Sequence, residues 1–463
     1  MRKIVTLLII LSNTFPCLAQ WKGFAPVQTY NVADVANLIH TKDFTGDGQS
    51  DLTVLYNAGQ SQWGVMKGEG QGKFSGISHQ AKEDNYFLSD IADFNRDGFP
   101  DMVISSYWNN GFTIWFGQSS GQLTKGPYMY TGTHGRAVKC VDINKDGIMD
   151  ILSTTSGSGR TISLHVFIGK GDGSFETKRT YPSVLDTCKD IFITDQNGDG
   201  RWDVVVSSSF PWLLIFVQQA NGDFVPTYHP TFQMARPALA DVNNDGKEDL
   251  ILLYASFDNM PGSDSLIIKL NNGTDYLSPS IRVPSFENRM IRPYYLRTAD
   301  LNHDGFTDLV FNHTDMDGMP NDTLFFMLGK GHAQFEEPVA MKVPANVAYL
   351  ILADINKDGW EDLIVSCANK TINVYINQWV PAEGEEKQVQ VFPNPAASYF
   401  YVKAAFKTAH QLRIYNAAGL LVGQQSLKSA TTSVYTQGLA NGIYFIEITG
   451  KEVNSRQSIL VQH

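Results

Sequence analysis

The chain has 463 residues, of which 43% are apolar and 12% aromatic, a composition typical of folded globular proteins rather than disordered ones. Acidic side chains outnumber basic ones by 11, which excludes the basic surface that nucleic-acid binding requires. The length fits one large domain followed by a smaller one. The 39 glycines, many of them in Asn-Gly and Asp-Gly pairs, indicate many tight turns and hence many short strands.

The first 19 residues have the pattern of a signal peptide. Arg2 and Lys3 precede an apolar run from Ile4 to Leu11 that is too short to span a bilayer, and cleavage is expected before Gln20. A short membrane anchor is the alternative interpretation. No later stretch is long and apolar enough to cross a membrane, so we expect no transmembrane segment after cleavage.

One motif recurs seven times and organises the chain. Its pattern is Asp-x-(Asn/Thr)-x-Asp-Gly-x-x-Asp, and successive copies are 46 to 59 residues apart. The copies begin at Asp43, Asp93, Asp142, Asp195, Asp241, Asp300 and Asp354. Such a regular period indicates a repeat architecture in which each copy belongs to one structural unit.

The sequence around each copy predicts four short strands. One apolar stretch precedes the motif, a second follows it, and a third comes after a loop of variable length. A glycine-rich turn and an aromatic residue introduce the fourth, as at Gly171–Phe175. Four strands in about 50 residues make one propeller blade. The last repeat shows only three strands, so we expect Phe24–Val27 to complete it and close a ring of seven blades.

The spacing within the motif favours a calcium site. Side chains at positions one, three, five and nine of a tight loop can converge on one point, and glycine at position six permits the sharp turn. Oxygen ligands in a flexible loop suit Ca²⁺, whereas Mg²⁺ needs a stricter octahedron and zinc prefers His or Cys. The alternative is a set of surface Asx-turns that bind no metal. Three carboxylates within nine residues repel one another, which favours the metal.

The repeats resemble FG-GAP or VCBS repeats, the blades of integrin-α-like propellers, over residues 20–378. The resemblance implies that each motif loop joins the first two strands of a blade and holds one Ca²⁺, up to seven in all. The expected ligand sets, in chain order, are Asp43, Thr45, Asp47 and Asp51; Asp93, Asn95, Asp97 and Asp101; Asp142, Asn144, Asp146 and Asp150; Asp195, Asn197, Asp199 and Asp203; Asp241, Asn243, Asp245 and Asp249; Asp300, Asn302, Asp304 and Asp308; and Asp354, Asn356, Asp358 and Asp362. Because Thr45 replaces asparagine, we expect the first site to be the weakest.

The last part of the chain is a different domain. Residues 379–388 are polar and charged and predict a linker, and residues 389–463 show strand alternation without the motif. Val391–Pro395, a turn glycine at Gly419 and the segment Leu439–Tyr444 resemble, in order, the type A C-terminal sorting domain of the type IX secretion system of Bacteroidetes. The resemblance implies a small β-sandwich, passage through the outer membrane, removal of the tail and attachment to surface lipopolysaccharide. A generic sandwich used for adhesion is the alternative.

The loops between the second and third strands are candidates for a binding face opposite the motif loops. They vary most, and they carry exposed-type aromatics beside Asn and Asp that suit contact with sugar or protein. The candidate ligand-binding residues are Tyr107, Trp108, Phe210, Trp212 and Phe257. Packing of Trp108 and Trp212 between blades is the alternative.

No sequence motif for catalysis accompanies these features. The chain has no Gly-x-Ser-x-Gly elbow, no His-Glu-x-x-His and no phosphate loop. We therefore expect an all-β, calcium-binding protein, secreted or on the outer cell surface, that binds a glycan or a protein. A polysaccharide lyase or hydrolase on a propeller scaffold and a structural surface-layer component remain alternatives.

Overall fold

The computed structural model describes residues 21–25, 28–56, 62–82, 86–106, 110–132, 134–157, 161–184, 188, 190–207, 212–230, 237–254, 265–273, 281–283, 292–314, 320–379, 390–392, 398–403, 410–416, 420–427, 431–449 and 454–462. The regular structure of these residues consists of β-strands. None of them belongs to a helix of membrane-spanning length and hydropathy. The predicted signal peptide lies outside the described residues.

Two strands precede the first repeat, β1 (Trp21–Phe24) and β2 (Gln28–Asn31). Blade one contains β3 (Ala36–Lys42), β4 (Asp51–Tyr56), β5 (Gln62–Gly70) and β6 (Lys73–Lys82). Blade two contains β7 (Tyr86–Ala92), β8 (Asp101–Ser106), β9 (Gly111–Gly117) and β10 (Leu123–Tyr130). Blade three contains β11 (His134–Val141), β12 (Asp150–Gly157), β13 (Thr161–Phe167) and β14 (Arg179–Pro182). Blade four contains β15 (Asp190–Thr194), β16 (Asp203–Ser207), β17 (Trp212–Gln218) and β18 (Phe224–Pro230).

Blade five contains β19 (Ala238–Ala240), β20 (Asp249–Tyr254), β21 (Ser265–Lys269) and β22 (Ile281–Arg282). Blade six contains β23 (Arg292–Ala299), β24 (Asp308–Thr314), β25 (Pro320–Met327) and β26 (Val339–Lys342). Blade seven contains β27 (Val347–Ala353), β28 (Asp362–Cys367), β29 (Thr371–Tyr375) and the N-terminal strand β2. The described residues thus form seven four-stranded antiparallel sheets, each paired in chain order apart from the strand borrowed by the last.

The N-terminal strand closes the ring, four residues further along than the sequence predicted. Gln28 pairs with Val374 and Asn31 with Thr371, so β2 is the fourth strand of blade seven. Phe24 instead belongs to β1, which pairs with β30 (Asn377–Trp379). Blade six shows the reason, because its corresponding aromatic, Phe335, makes an isolated bridge at the turn and the strand begins only at Val339. The aromatic residue anchors the turn and the strand follows it.

Apolar packing joins neighbouring blades around the ring. Clusters of buried side chains connect blades one and two, two and three, three and four, four and five, five and six, and seven and one. Trp63 of blade one, for example, packs edge-on against Trp115 of blade two with ring centroids 5.3 Å apart. Between blades six and seven, the Tyr295 hydroxyl donates a hydrogen bond to the Ala348 carbonyl. Each fully buried large side chain contributes about 1.5–3 kcal/mol, so the clusters that bridge neighbouring blades stabilise the ring substantially.

Gly23–Gln378 form one compact unit, and the tail from Trp379 to His463 belongs to a second unit with its own core. One sheet contains β31 (Gln390–Phe392), β32 (Tyr399–Lys403) and β35 (Thr431–Tyr435). The other contains β33 (His410–Asn416), β34 (Leu421–Leu427), β36 (Gly442–Thr449) and β37 (Asn454–Val461). Phe400 and Val402 from the first sheet share one buried cluster with Leu412, Ile446 and Ile459 from the second. The tail is therefore a two-sheet sandwich, as predicted.

Candidate metal centres

Each motif loop joins the first and second strands of its blade, and all seven have the same backbone turn. The sixth residue is always glycine, with φ between 81° and 89°. The fourth residue is also left-handed in every loop, with φ between 54° and 71°. It is glycine in two loops and a residue with a side chain in the other five, namely Arg96, Lys145, Asn244, His303 and Lys357. A left-handed residue with a Cβ costs about 1–2 kcal/mol, so the loop must be held in this conformation by other contacts.

The first and fifth aspartates supply those contacts by accepting hydrogen bonds from the loop backbone. In all seven loops the first aspartate accepts from the sixth-residue N–H at 2.7–3.0 Å, as Asp142 does from Gly147. The fifth aspartate accepts from the seventh-residue N–H at 2.8–3.0 Å, as Asp146 does from Ile148. These hydrogen bonds hold the loop backbone in its turn; the first aspartate is half-buried, and the fifth is exposed at the rim of the loop.

The ninth aspartate is buried and connects the loop to the rest of the blade. It is the first residue of the second strand and is completely inaccessible in all seven blades. In blade six, Asp308 Oδ2 accepts from the Leu301 N–H at 2.7 Å, and its Oδ1 accepts from the Gly329 N–H at 2.6 Å. Equivalent pairs of bonds are formed by Asp51, Asp101, Asp150, Asp203, Asp249 and Asp362. This carboxylate therefore ties the loop to the end of the third strand.

Burial and neighbouring charge make the ninth carboxylate reluctant to ionise. Burial is the main cause that raises its pKa, to about 6 in Asp101, Asp150, Asp203 and Asp249 and to about 7 in Asp308 and Asp362. The backbone hydrogen bonds lower the pKa, and the charges of the first and fifth aspartates raise it again. In loops two to seven the three carboxylates are therefore close enough to repel one another, and a bound cation would relieve that repulsion.

Loops one and four differ from the other five because a basic side chain of the same blade forms an ion pair with the aspartate at position five of the motif. Lys67 Nζ lies 3.1 Å from Asp47 Oδ2 in loop one, and the Arg201 guanidinium pairs with Asp199 in loop four. In the other loops the third-position asparagine donates to that oxygen, as Asn302 does to Asp304 at 2.9 Å. Sequence reasoning missed both basic residues, since Lys67 is 20 residues beyond Asp47 and Arg201 occupies a variable motif position.

The donors present fit a hard cation. Among the described residues, no group of three or more His, Cys, Asp or Glu side chains is already arranged to hold a metal ion. In loop two, however, Asp93 Oδ1 is buried and has no hydrogen-bond partner. A buried carboxylate oxygen without a partner is costly, and a cation would satisfy it. Where the loops bind metal, the first, third, fifth and ninth side chains would hold it, and the ion would supply positive charge to three repelling carboxylates.

The predicted ligand-binding aromatics remain predictions. Tyr107, Trp108, Phe210 and Phe257 lie outside the described residues. Trp212 is the first residue of β17, and nothing is described of its side chain.

The family of the chain is evident from its repeats and its tail. A model of the FG-GAP-like repeat matches six overlapping segments, 43–104, 93–153, 142–206, 195–252, 241–311 and 300–365. A model of the secretion system C-terminal sorting domain matches residues 390–462. The first set spans all seven motif loops, since each segment begins at one motif and ends beyond the next.

Other proteins share part of this architecture. The phosphatidylinositol-glycan-specific phospholipases D of Mus musculus and Rattus norvegicus are 30% identical over 150 residues and 28% identical over 152 residues. Each match covers 26% of this chain and only 18% of the relative. Among solved structures, BBS1N in complex with ARL6DN, soaked with lead, aligns over 77% of this chain and 97% of its own, with a TM-score of 0.53 and 11% identity.

A third structure, of PorZ from the type-IX secretion system of Porphyromonas gingivalis, covers 94% of this chain and 58% of its own, with a TM-score of 0.41 and 13% identity. The BBS1N likeness extends to the propeller fold alone. Family and export rest on the repeats and the sorting domain. The chain belongs to the FG-GAP-like repeat family, and its sorting domain marks it for export by the type IX secretion system to the cell surface or the medium.

Proposed function

We propose that the propeller is a calcium-stabilised binding module, in which each motif loop holds one Ca²⁺ and the opposite end of the ring presents loops to a glycan or protein. The observation that supports the proposal is the buried ninth aspartate, which has two backbone partners in all seven loops and is repelled by two neighbouring carboxylates in loops two to seven. Seven such clusters at one end of a ring favour occupation by a divalent cation. Oxygen donors of this kind select calcium over zinc.

Calcium would act on stability rather than chemistry. Extracellular calcium modules have dissociation constants of about 10⁻⁴–10⁻³ M. At 10 mM calcium, mass action then stabilises the folded state by about 1–3 kcal/mol per site. Because the loops connect the first two strands of every blade, the gain would be distributed around the whole ring.

The proposed binding face follows from strand direction. In each blade the second strand begins at the ninth aspartate of the motif loop, as β8 does at Asp101. Since neighbouring strands are antiparallel, the connection from the second to the third strand starts at the opposite end of the blade. The five aromatic candidates all lie in or beside that connection, in blades two, four and five. A rigid scaffold that presents variable aromatic loops is typical of recognition modules.

Thermal unfolding with and without calcium tests the metal. We expect excess chelator to lower the melting temperature on the order of 10 °C relative to 10 mM calcium. Magnesium at the same concentration is the matched control and should restore much less. Identical melting curves in chelator and calcium would rule out metal stabilisation.

A screen against glycans and surface proteins, paired with a degradation assay on every glycan that binds, tests the binding role. Binding without cleavage supports the proposal, and cleavage would favour the polysaccharide-acting enzyme instead. A chain that neither binds nor cleaves would fit the structural surface-layer role. If the binding face is assigned correctly, Trp212→Ala should weaken binding without lowering the melting temperature. The buried Trp63 is unchanged in this variant.

A further inference from the structure

The fourth residue of a motif loop reaches the next loop around the ring. Arg96 Nη2 of loop two donates to the Gly147 carbonyl of loop three at 2.7 Å. Asn244 Nδ2 of loop five donates to the Gly305 carbonyl of loop six at 2.9 Å. The remaining contacts of this type run from Lys145 to the Gly200 carbonyl and from Lys357 to the Gly48 carbonyl. The acceptor is in every case the sixth-position glycine of the following loop.

Between loops six and seven the same position makes a ring contact instead. The His303 imidazole stacks on the Trp360 indole, the seventh residue of loop seven, with centroids 3.6 Å apart and planes 13° from parallel. Loops one and four have glycine at this position, Gly46 and Gly198, and therefore carry no side chain there. The contacts thus form two arcs, one running from loop two through three to four, and the other from loop five through six and seven to one.

The peptide that Arg96 contacts is also hydrogen-bonded to Asp146, one of the proposed calcium ligands of loop three. The Gly147 carbonyl accepts from Arg96, and the N–H of the same peptide unit, which belongs to Ile148, donates to Asp146 Oδ1 at 2.8 Å. Asp146 is the fifth-position carboxylate of loop three. One rigid peptide plane therefore connects a side chain of loop two to the orientation of a carboxylate in loop three. The same chain of contacts links Asn244, the Gly305–Phe306 peptide and Asp304.

In the sequence, the donor Arg96 lies between two proposed calcium ligands of loop two. Arg96 lies between Asn95 and Asp97 and has a left-handed backbone, with φ of 57°. An ion held by those neighbours would fix that backbone and so restrict where the guanidinium can reach. We propose that the fourth-position side chains are positioning residues, which transmit the ordering of one calcium loop to the fifth carboxylate of the next within each arc. This inference rests on the proposed calcium binding for its metal-dependent part only.

The test uses the full chain and hydrogen exchange resolved loop by loop. Arg96→Met keeps the aliphatic stem and removes the donor, while Arg96→Lys restores the type of donor that loops three and seven use. In chelator, Arg96→Met should speed exchange of the amides at Gly147 and Ile148 about two- to fivefold, as expected for loss of an exposed charged hydrogen bond. Arg96→Lys should return exchange to the wild-type rate, and loop six should not change in either variant.

A calcium titration of the same signal tests transmission. The calcium concentration that half-protects loop three should rise about two- to fivefold in Arg96→Met. Asp93→Asn weakens the proposed calcium site of loop two. In the wild-type background this substitution should raise the calcium concentration that half-protects loop three, and in the Arg96→Met background it should cause no further increase. Additive effects, or unchanged loop-three exchange in Arg96→Met, would overturn the proposal. If no loop responds to calcium, the proposed function fails, while the chelator experiment still decides whether Arg96 holds the next loop.

Discussion

The propeller and the tail are both all-β, but they differ in what completes each fold. Every propeller blade has a buried aspartate that joins its motif loop to its third strand, and in loops two to seven the charges of two further aspartates repel it. The tail, residues 390–463, contains no aspartate and two glutamates, and its sandwich is held by one apolar cluster. The buried cluster of the tail contains only apolar and aromatic side chains, whereas the propeller combines apolar burial with buried carboxylates whose energy depends on their surroundings. The two regions should therefore respond differently to calcium, acid and substitution.

The sharpest contrast within the propeller is between the ninth and the fifth aspartate of one loop. Asp308→Ala leaves the buried N–H groups of Leu301 and Gly329 without acceptors and should lower the free energy of unfolding by about 2–5 kcal/mol, even in chelator. Asp304→Ala, at the exposed rim of the same loop, removes the acceptor of the Phe306 N–H and should cost only about 0.5–1.5 kcal/mol in chelator, and it should also lose the calcium-dependent gain of loop six. Chemical denaturation in both buffers measures this. Equal losses in chelator would mean that the two aspartates share one role.

A substitution in the tail provides the opposite case. Ile446 is buried at the centre of the sandwich core, so Ile446→Ala should destabilise the tail by about 2–5 kcal/mol through lost contact and a cavity. The loss should be the same in calcium and in chelator. Calorimetry with hydrogen exchange can separate the two unfolding events, and Leu421→Ala, at an exposed position, is the control. If the destabilisation by Ile446→Ala differed between calcium and chelator, the tail would depend on calcium as the propeller is proposed to do, and the distinction between the two regions would be wrong.

The buried histidine His165 is one route by which acid should act on the propeller, and the ninth aspartates and His40 are others. His165 contacts Thr155 Oγ1 at 2.9 Å and Thr180 Oγ1 at 3.0 Å, and burial, aided by the charge of Lys178, lowers its pKa to about 4. Its unfolded value is near 6.5, so the stability that neutral His165 contributes is present above pH 6.5 and is lost as pH falls towards 4. The loss approaches about 3 kcal/mol for a difference of this size.

His165→Gln removes that titration, so the gap in stability between wild type and variant should narrow as pH falls from 7 to 4. His79→Gln, the same substitution at an exposed position, is the control. Unfolding free energies at several pH values in one buffer series measure the effect. Parallel profiles for wild type and His165→Gln would show that the imidazole titrates normally.

The smallest expected effect concerns differences among the loops. Lys67 occupies the fifth carboxylate of loop one, so calcium must displace it, and Lys67→Met should tighten that loop's affinity about two- to fivefold. Loop-resolved hydrogen exchange during a calcium titration measures the change, with the exposed Lys73→Met as control. If Lys67→Met leaves the calcium affinity of loop one unchanged, Lys67 does not weaken that site. The expectation of a weak first site would then rest on Thr45 alone, which replaces asparagine at position three.

The repeats made most of the fold predictable, and the failures have local causes. Seven motif copies at a regular period predicted seven blades, and the short last repeat predicted closure by the N-terminus. The closing strand was misplaced because Phe24 resembles Phe335, whose role is to anchor a turn rather than to begin a strand. Positions one, three, five and nine were recognised as one group, yet the burial that separates the ninth from the rest depends on the third strand of the blade.

The contacts between loops could not be read from local spacing. Arg96 and Gly147 are 51 residues apart and meet only because blades two and three are neighbours. The left-handed fourth position had a partial signal, since Gly46, Gly198 and Asn244 all favour that conformation. Arginine, lysine and histidine at the same position obscured it, because those residues rarely adopt positive φ without a stabilising contact.

The most direct test of the central claim is the number of calcium ions bound per chain, measured by equilibrium dialysis against calcium in the millimolar range or by anomalous diffraction from calcium-soaked crystals. We predict seven ions, one in each motif loop, with loops one and four the last to fill. A chain that binds no calcium at these concentrations while keeping its melting temperature would contradict this prediction.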